Sequence, residues 1–450
     1  KLKCEGGACR RNEVEMRTII RGGRVLDPAS STDGIRDILV EDGIIKEVAE
    51  HISTDAENVI EAEGLYVMPG LIDLHVHFRE PGFEHKETIR TGARAAARGG
   101  FTTVCVMPNT KPVVDSVEMV KYVIDKAKEV TDIHVLPIAA ITAGQDGEFI
   151  TDFENLYKNG AVAVSEDGKS VMNARVARQA MRLAAEVGIP VFAHCEDKNL
   201  VARGVMNAGN RAKELGLYGI MNAVEDVIVA RDILLAKNTG ARLHLCHCST
   251  VDSVKMTKLA KEEGIDVTAE VTPHHFTLTE NAVLEHGTLA KMNPPLRTEK
   301  DRKAVLEGLL DGTIDCIVTD HAPHAPSEKA DFRYAPNGVI GMETSLAASL
   351  KLVHAGLMTL PQLVQKMAEN PRKILGLPQH QLAVGEPADL TLVDLDYHWT
   401  VDPEKMHSKA KNVIWKGKTL VGKPVCTITD GIIRYQDTEY LEERNRCNGF

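Results

Sequence analysis

No apolar run in this chain approaches the roughly 20 residues that a membrane-spanning helix needs. Positive charge is not in excess: 53 lysines and arginines face 64 aspartates and glutamates, a net charge of −11. That balance argues against broad nucleic-acid binding, while leaving room for a locally cationic pocket. The nine cysteines form no CxxC pair. Their scatter favours reduced core thiols, and so a reducing, cytoplasmic compartment, over a disulfide framework. The first 15 residues, KLKCEGGACRRNEVE, lack the apolar core of a signal peptide. They read as foreign to the fold, with Met16 as the expected natural start. The polar end, TEYLEERNRCNGF, is expected to fray.

What remains is ordinary globular material, 43% hydrophobic and 26% charged over 450 residues. Residues 16–68 and 376–436 share one texture of short strands with turn signals, such as DILVEDGIIKEVA and ADLTLVDLD. Gly22-Gly23 and Asp42-Gly43 read as hairpin punctuation. These two parts are expected to pair as one small β domain. Residues 437–450 form a tail.

Between them, over 69–375, apolar strand-like runs alternate with helical patterns. The strands are GLIDLHV, TTVCVMP, HVLPIAA, AVAVSE, VFAHCE, LHLCHCS, VTAEVTP and CIVTDHA. Helices are expected over 85–98, 116–130, 174–187, 224–237, 251–263 and 301–310. Eight such strands with helical crossovers give a parallel (β/α)8 barrel.

The chemistry is concentrated at strand ends. In GLIDLHVHFREPG, His75 and His77 stand at i and i+2, so a strand projects both imidazoles to one face. Converging imidazoles suit a divalent transition metal. Arg79 shares their parity, which points to a metal-assisted hydrolase acting on an anionic substrate. Asn109, Asp167, His194, His247, Asp320 and His324 also lie at or just beyond strand C-terminal ends, the face where barrel enzymes place their sites.

Taken together, PGLIDLHVHFREPG (69–82), GARAAARGGFTTVCVMPNTKPV (92–113), SEDG (165–168), AHCED (193–197), LCHCST (245–250), AEVTPHH (269–275), KMNPPLR (291–297) and GTIDCIVTDHAPHAPSEK (312–329) resemble the metal-dependent amidohydrolases, most closely the bacterial type I dihydroorotases. The resemblance implies a (β/α)8 barrel with a small β-sandwich built from both termini. It also implies two zinc ions per subunit and reversible ring opening of dihydroorotate to N-carbamoyl-aspartate, a step of pyrimidine biosynthesis. His75, His77 and Asp320 are assigned to the first metal, and His194 and His247 to the second. Asp167 is the bridge, where many relatives use a carboxylated lysine. Asp320 is also the proton shuttle, base then acid. Substrate recognition falls to His77, Phe78, Arg79, Asn109, Asn293, His324, Asn337 and Gly338, with Arg79 gripping a ring carboxylate. The family default is a homodimer, with association to aspartate carbamoyltransferase known among relatives.

Plainer readings stand beside these. Asp167-Gly168 has a plainer, less favoured reading as only a turn, and Glu166 is its rival as a ligand. Arg79 can pair with Glu80 or Glu84 at the surface. His244 faces away from His247 by strand parity and is expected to be packed or hydrogen-bonded. His274 and His275 either orient ligands or are satisfied core groups, and His85 is expected at the surface. The polar loop 325–338 is a candidate lid over the substrate. Relatives often carry an aromatic residue at the position of Asn337. The rival functions are a hydantoinase or allantoinase type of ureide hydrolase, and a non-catalytic barrel that scaffolds a partner enzyme.

Overall fold

The structure is a computed structural model that describes residues 17–131 and 133–447. The leader 1–15 and Met16 lie outside the described residues. Eight strands form a parallel sheet in sequential order: β1 (Leu71–Val76), β2 (Phe101–Val106), β3 (His134–Ala140), β4 (Ala163–Ser165), β5 (Val191–Ala193), β6 (Leu243–Leu245), β7 (Val267–Val271) and β8 (Cys316–Ile317). Val76 bridges His321 in parallel, and His77 N donates to His321 O at 2.8 Å, which joins the last strand to the first. All six residues of β1 are buried, as expected of a strand covered on both faces. The expected (β/α)8 barrel is therefore present, and the two terminal segments share a separate sheet.

A side-chain clasp reinforces the closure. Asp73 on β1 accepts from Thr319 Oγ1 at 2.6 Å, Thr319 N at 3.2 Å and His75 N at 3.1 Å. Burial pushes its carboxyl up to about 7 despite these bonds.

Helix ends follow local capping chemistry. The helix expected from His85 starts at Ile89, because Thr88 forms a capping box with Thr91. The helix Ala174–Val187 has the expected bounds, between an Asn173 cap and a left-handed Gly188. Met342–His354 was not anticipated. Nine consecutive residues from Met342 to Leu350 are buried, so it carries no polar stripe to reveal its period.

The terminal sheet runs, edge to edge, Ile432–Gln436, Thr419–Thr429, Leu390–Thr400, Tyr66–Pro69, Arg17–Asp27, Thr32–Glu41 and Ile44–Ala49, with Asn58–Glu61 beside Arg17–Asp27. Asp42-Gly43 is a two-residue hairpin turn with both φ angles positive. Gly22-Gly23 is not a turn. It lies within Arg17–Asp27 as an irregularity in the pairing, and a side chain at Gly23 would collide with Val67. Over its described residues the polar end is helical rather than frayed: Thr438–Cys447 forms a helix, and Tyr440 is buried with its hydroxyl on Asp394 at 2.9 Å.

Barrel and sheet meet at His134, whose Nε2 lies 3.1 Å from Asp389 Oδ2. The hydrogen bond to Asp389 raises His134 above its ordinary value, against burial. Burial opposes ionisation of Asp389, but the His134 bond holds it low. A raised histidine contributes stability that is complete below its unfolded value and is lost as pH rises through the folded one. A lowered carboxylate loses its contribution in acid. The pair therefore contributes most between about pH 4 and pH 6.5, and its contribution fades above that window. The wild-type melting temperature should fall more steeply from about pH 6.5 to 8.5 than that of His134→Gln. Parallel profiles would show that the pair contributes nothing.

Candidate metal centre and active site

The barrel rim gathers the candidate ligands from five strand ends. His75 is in β1 and His77 one residue past it. Asp167 follows β4, His194 follows β5, His247 follows β6 and Asp320 follows β8. All six are buried. His75 Nε2 lies 3.2 Å from Asp167 Oδ1 and 3.6 Å from Asp320 Oδ1. His77 Nε2 lies 3.2 Å from Asp320 Oδ1 and 3.5 Å from Asp167 Oδ2. His194 Nδ1 lies 3.4 Å from Asp167 Oδ1 and 2.9 Å from His247 Nε2. Asp167 thus stands among three imidazoles, at the centre of the group.

Three of the four histidines have their other nitrogen held by an oxygen. His75 Nδ1 meets Glu270 Oε1 at 2.6 Å, His77 Nδ1 meets Asn109 Oδ1 at 2.9 Å, and His194 Nε2 meets Glu196 Oε2 at 2.8 Å. Such bonds select the tautomer whose free lone pair faces inward. His75 Nε2 and Asp167 Oδ1 are buried with no hydrogen-bond partner among the described residues. His75, Asp167 and His247 offer ligand atoms within 4.8 Å of one another, as do His75, His77 and Asp320. Imidazole and carboxylate donors at this spacing fit divalent metal ions.

The electrostatics agree with that fit. Burial opposes the charge on Asp167, but His75, His194 and His77 overcome it and hold the carboxyl well below its usual range. Asp320 is lowered in the same way, by the His77 bond and the charge of His75 against burial. Glu270 and Asp167 raise His75 against burial, and Asp167 and Glu196 carry His194 up to about 10. His247 is driven down to about 3 by burial and by its imidazolium neighbours. Bound cations would supply the same positive charge, and their binding would displace any proton held on the ligand atoms.

Arg79, Asn109, Asn293, His324, Asn337 and Gly338 have mixed placements. Arg79 pairs with neither Glu80 nor Glu84: Glu80 caps Ile89 N and Glu84 accepts from Gly82 N. Its guanidinium instead donates to Pro323 O at 3.3 Å and lies 3.4 Å from His324 Nε2. Burial lowers it to about 10, opposed by the charges of Asp320 and Asp167. His324 is pushed down by burial and then by Arg79. Its Nε2 meets Asn337 O at 2.8 Å, and its Nδ1 lies 3.4 Å from Lys86 Nζ. Arg79 and His324 therefore share a corner of the rim with Lys86, whose ammonium is paired with Glu328 Oε1 at 3.0 Å. Asn109 donates to Asp167 Oδ2 at 3.2 Å, and Asn293 donates to Glu196 Oε2 at 2.7 Å, so both amides are engaged with ligand-bearing groups. Phe78 is buried in the core, and a side chain at Gly92 would strike its ring. The ring therefore faces away from the rim.

The rivals separate cleanly. Glu166 turns away to Thr142. His244 is bonded to Thr268 Oγ1 at 2.8 Å and Glu270 Oε2 at 3.0 Å. His275 is satisfied by Thr272 and by Pro294 O, whereas His274 Nε2 is buried without a partner among the described residues. His85 is exposed. Sequence reasoning did not single out Glu196, Glu270 or Lys329. Glu196 shares the parity of His194, and Glu270 is a charge inside an apolar strand; both were available signals.

A protein-family model described as Dihydro-orotase-like matches residues 64–253. A dihydroorotase of Syntrophus aciditrophicus is 48% identical over 94% of this chain and 100% of its own length. One from Trichlorobacter lovleyi is 47% identical over 93% and 99%. The chain belongs to the dihydroorotase family. Among solved structures, L-hydantoinase from Arthrobacter aurescens superposes with a TM-score of 0.83 at 26% identity, covering 93% of this chain and 96% of that one. Dihydropyrimidinase from Brevibacillus agri gives 0.81 at 22% over 94% and 95%, a likeness of fold alone. The family and enzyme class expected from the motifs hold. Among the described residues, no helix is long and apolar enough to cross a membrane.

In this dihydroorotase-family chain the loop 325–338 is pinned from inside. Lys329 Nζ donates to Pro336 O at 2.9 Å, Gly338 O at 3.0 Å and Lys291 O at 3.3 Å. Burial, and next the charge of Lys291, lowers Lys329 to about 7. Lys329→Met strands Pro336 O, at about 1–3 kcal/mol if it stays buried and unpaired, while Gly338 O keeps Asn412 Nδ2 and Lys291 O keeps Gly338 N. It should speed limited proteolysis within 330–338 and raise KM with a smaller change in kcat. Unchanged proteolysis would show that the loop is held by other contacts.

Proposed function

We propose that this chain opens the ring of dihydroorotate to N-carbamoyl-aspartate, and closes it in reverse, in pyrimidine biosynthesis. The observation that carries the reading is the half-buried Arg79, without a carboxylate salt bridge, on the rim that also holds Asp320. A ring carboxylate supplies the anion that this guanidinium lacks. Hydantoin-type substrates offer it no such group.

In this reading His75, His77 and Asp320 hold one zinc ion, and His194 and His247 hold a second, with Asp167 between them. When bound, such a pair supplies Lewis acidity, lowering the pKa of a water toward neutrality and polarising the carbonyl to be attacked. Arg79 fixes the substrate by its carboxylate, so the scissile amide meets the rim in one orientation. Asp320 accepts a proton from the attacking water as the new C–O bond forms. It returns that proton to the ring nitrogen as the C–N bond breaks. The six buried ligands argue against a bare scaffold. The free, buried Cys105, Cys195, Cys246, Cys248, Cys316 and Cys426 suit a reducing cytoplasm. A homodimer, and association with aspartate carbamoyltransferase, complete the proposal.

Asp320→Asn should lower kcat by roughly 100- to 10,000-fold while much of the zinc, by elemental analysis, stays bound. Near-wild-type turnover would remove Asp320 as the shuttle. Arg79→Ala should raise KM for dihydroorotate by about 10- to 100-fold, the loss of charge-assisted hydrogen bonds. An assay against dihydroorotate, hydantoin and allantoin should give turnover on the first. Activity confined to the other two would overturn the proposal.

A further inference from the structure

We propose that Glu270 is a shared positioning residue for both metal positions, and that His244 braces it. The inference depends on the two-metal reading above. Glu270 lies in β7 and is wholly buried. Its Oε1 accepts from His75 Nδ1 at 2.6 Å and from His247 N at 3.1 Å. Its Oε2 accepts from His244 Nε2 at 3.0 Å. His75 belongs to the first metal position and His247 to the second, so one carboxylate touches a ligand of each. Among the four histidines, Asn109 Oδ1 meets only His77 and Glu196 meets only His194, although Asn109 Nδ2 also reaches Asp167.

The two contacts act differently. On His75 the bond fixes the tautomer, keeping the proton on Nδ1 and the Nε2 lone pair toward Asp167 and Asp320. On His247 it holds the main chain. His247 has φ of 34°, a left-handed value that a side-chain-bearing residue adopts at a cost. The Glu270 bond secures that conformation, in which His247 Nε2 faces His194.

His244 completes the arrangement. Strand parity turns it away from the metals, and its ring lies 4.5 Å from that of Phe192. With Thr268 on its Nδ1, its Nε2 proton is committed to Glu270. Rotation of the Glu270 carboxylate would break three bonds at once.

Metal-stripped protein titrated with zinc against a chromophoric chelator, with stoichiometry by elemental analysis, tests this. Glu270→Gln should weaken both zinc ions, each by about 10- to 100-fold. Glu196→Gln should weaken only one. Loss of a single ion, or unchanged affinities, in Glu270→Gln would overturn the inference. So would a lower melting temperature of the metal-free variant with both affinities intact, the mark of a purely structural acid. If Glu270→Gln does not fold, His244→Phe keeps the ring beside Phe192 and removes only the brace. It should weaken both ions by a smaller factor, and unchanged affinities there overturn the proposal equally. Wild-type protein that takes up fewer than two zinc ions would sink the two-metal reading first. Two ions in wild type with an unaffected Glu270→Gln sinks this inference alone.

Discussion

The site depends on one constraint: buried carboxylates must be matched by positive charge. Asp167 and Asp320 are almost wholly buried, at a depth where an unmatched carboxylate would take up a proton. Four imidazoles surround them and tip the balance toward ionisation. Paired acids ringed by histidines are costly as structure alone. As a socket for cations the same cost becomes affinity, because the ligands are already desolvated and aimed. The barrel supports this by placing each group at a strand end, where the neighbouring strands fix its direction.

Maintaining that socket strains the chain. Arg79, His247 and Asp320 all have positive φ, and none is glycine. Such residues persist only where their surroundings over-determine them, at about 1–3 kcal/mol each. Here the surroundings can be named. Glu270 holds His247 N, while Asp73 holds Thr319, the residue before Asp320. Two buried acids on the barrel strands therefore secure the backbone on either side of the metal positions. They are inward-facing strand residues serving chemistry rather than filling the barrel.

The placement of these groups explains what could be read in the sequence. His75 and His77 were legible because two residues along a strand is a geometric statement by itself. The barrel was legible from repetition, eight apolar runs with helical patterns between them. Glu166 and Asp167 are neighbours, and parity separates them, as the bond of Glu166 to Thr142 bears out. Glu270 was visible as a charge inside an apolar strand, but its partnership was hidden because His75 is 195 residues away, and no local pattern reports which inward residue meets which across a barrel. The Gly22-Gly23 pair misled because a bulge and a turn draw on the same conformational freedom of glycine. The polar tail misled because Tyr440 anchors it from within a charged run.

Arg79 joins these strands of argument. Its φ is strained, and its half-buried guanidinium meets a carbonyl and an imidazole but forms no salt bridge with a carboxylate. A partly desolvated cation with such neighbours is poorly satisfied in the resting protein. The deficit is of the kind that one planar anion removes, by two parallel bonds from a fixed fork. In the proposed reaction, bound metal ions and Asp320 open the ring. The choice of which ring is opened falls to a guanidinium that the fold leaves short of an anion.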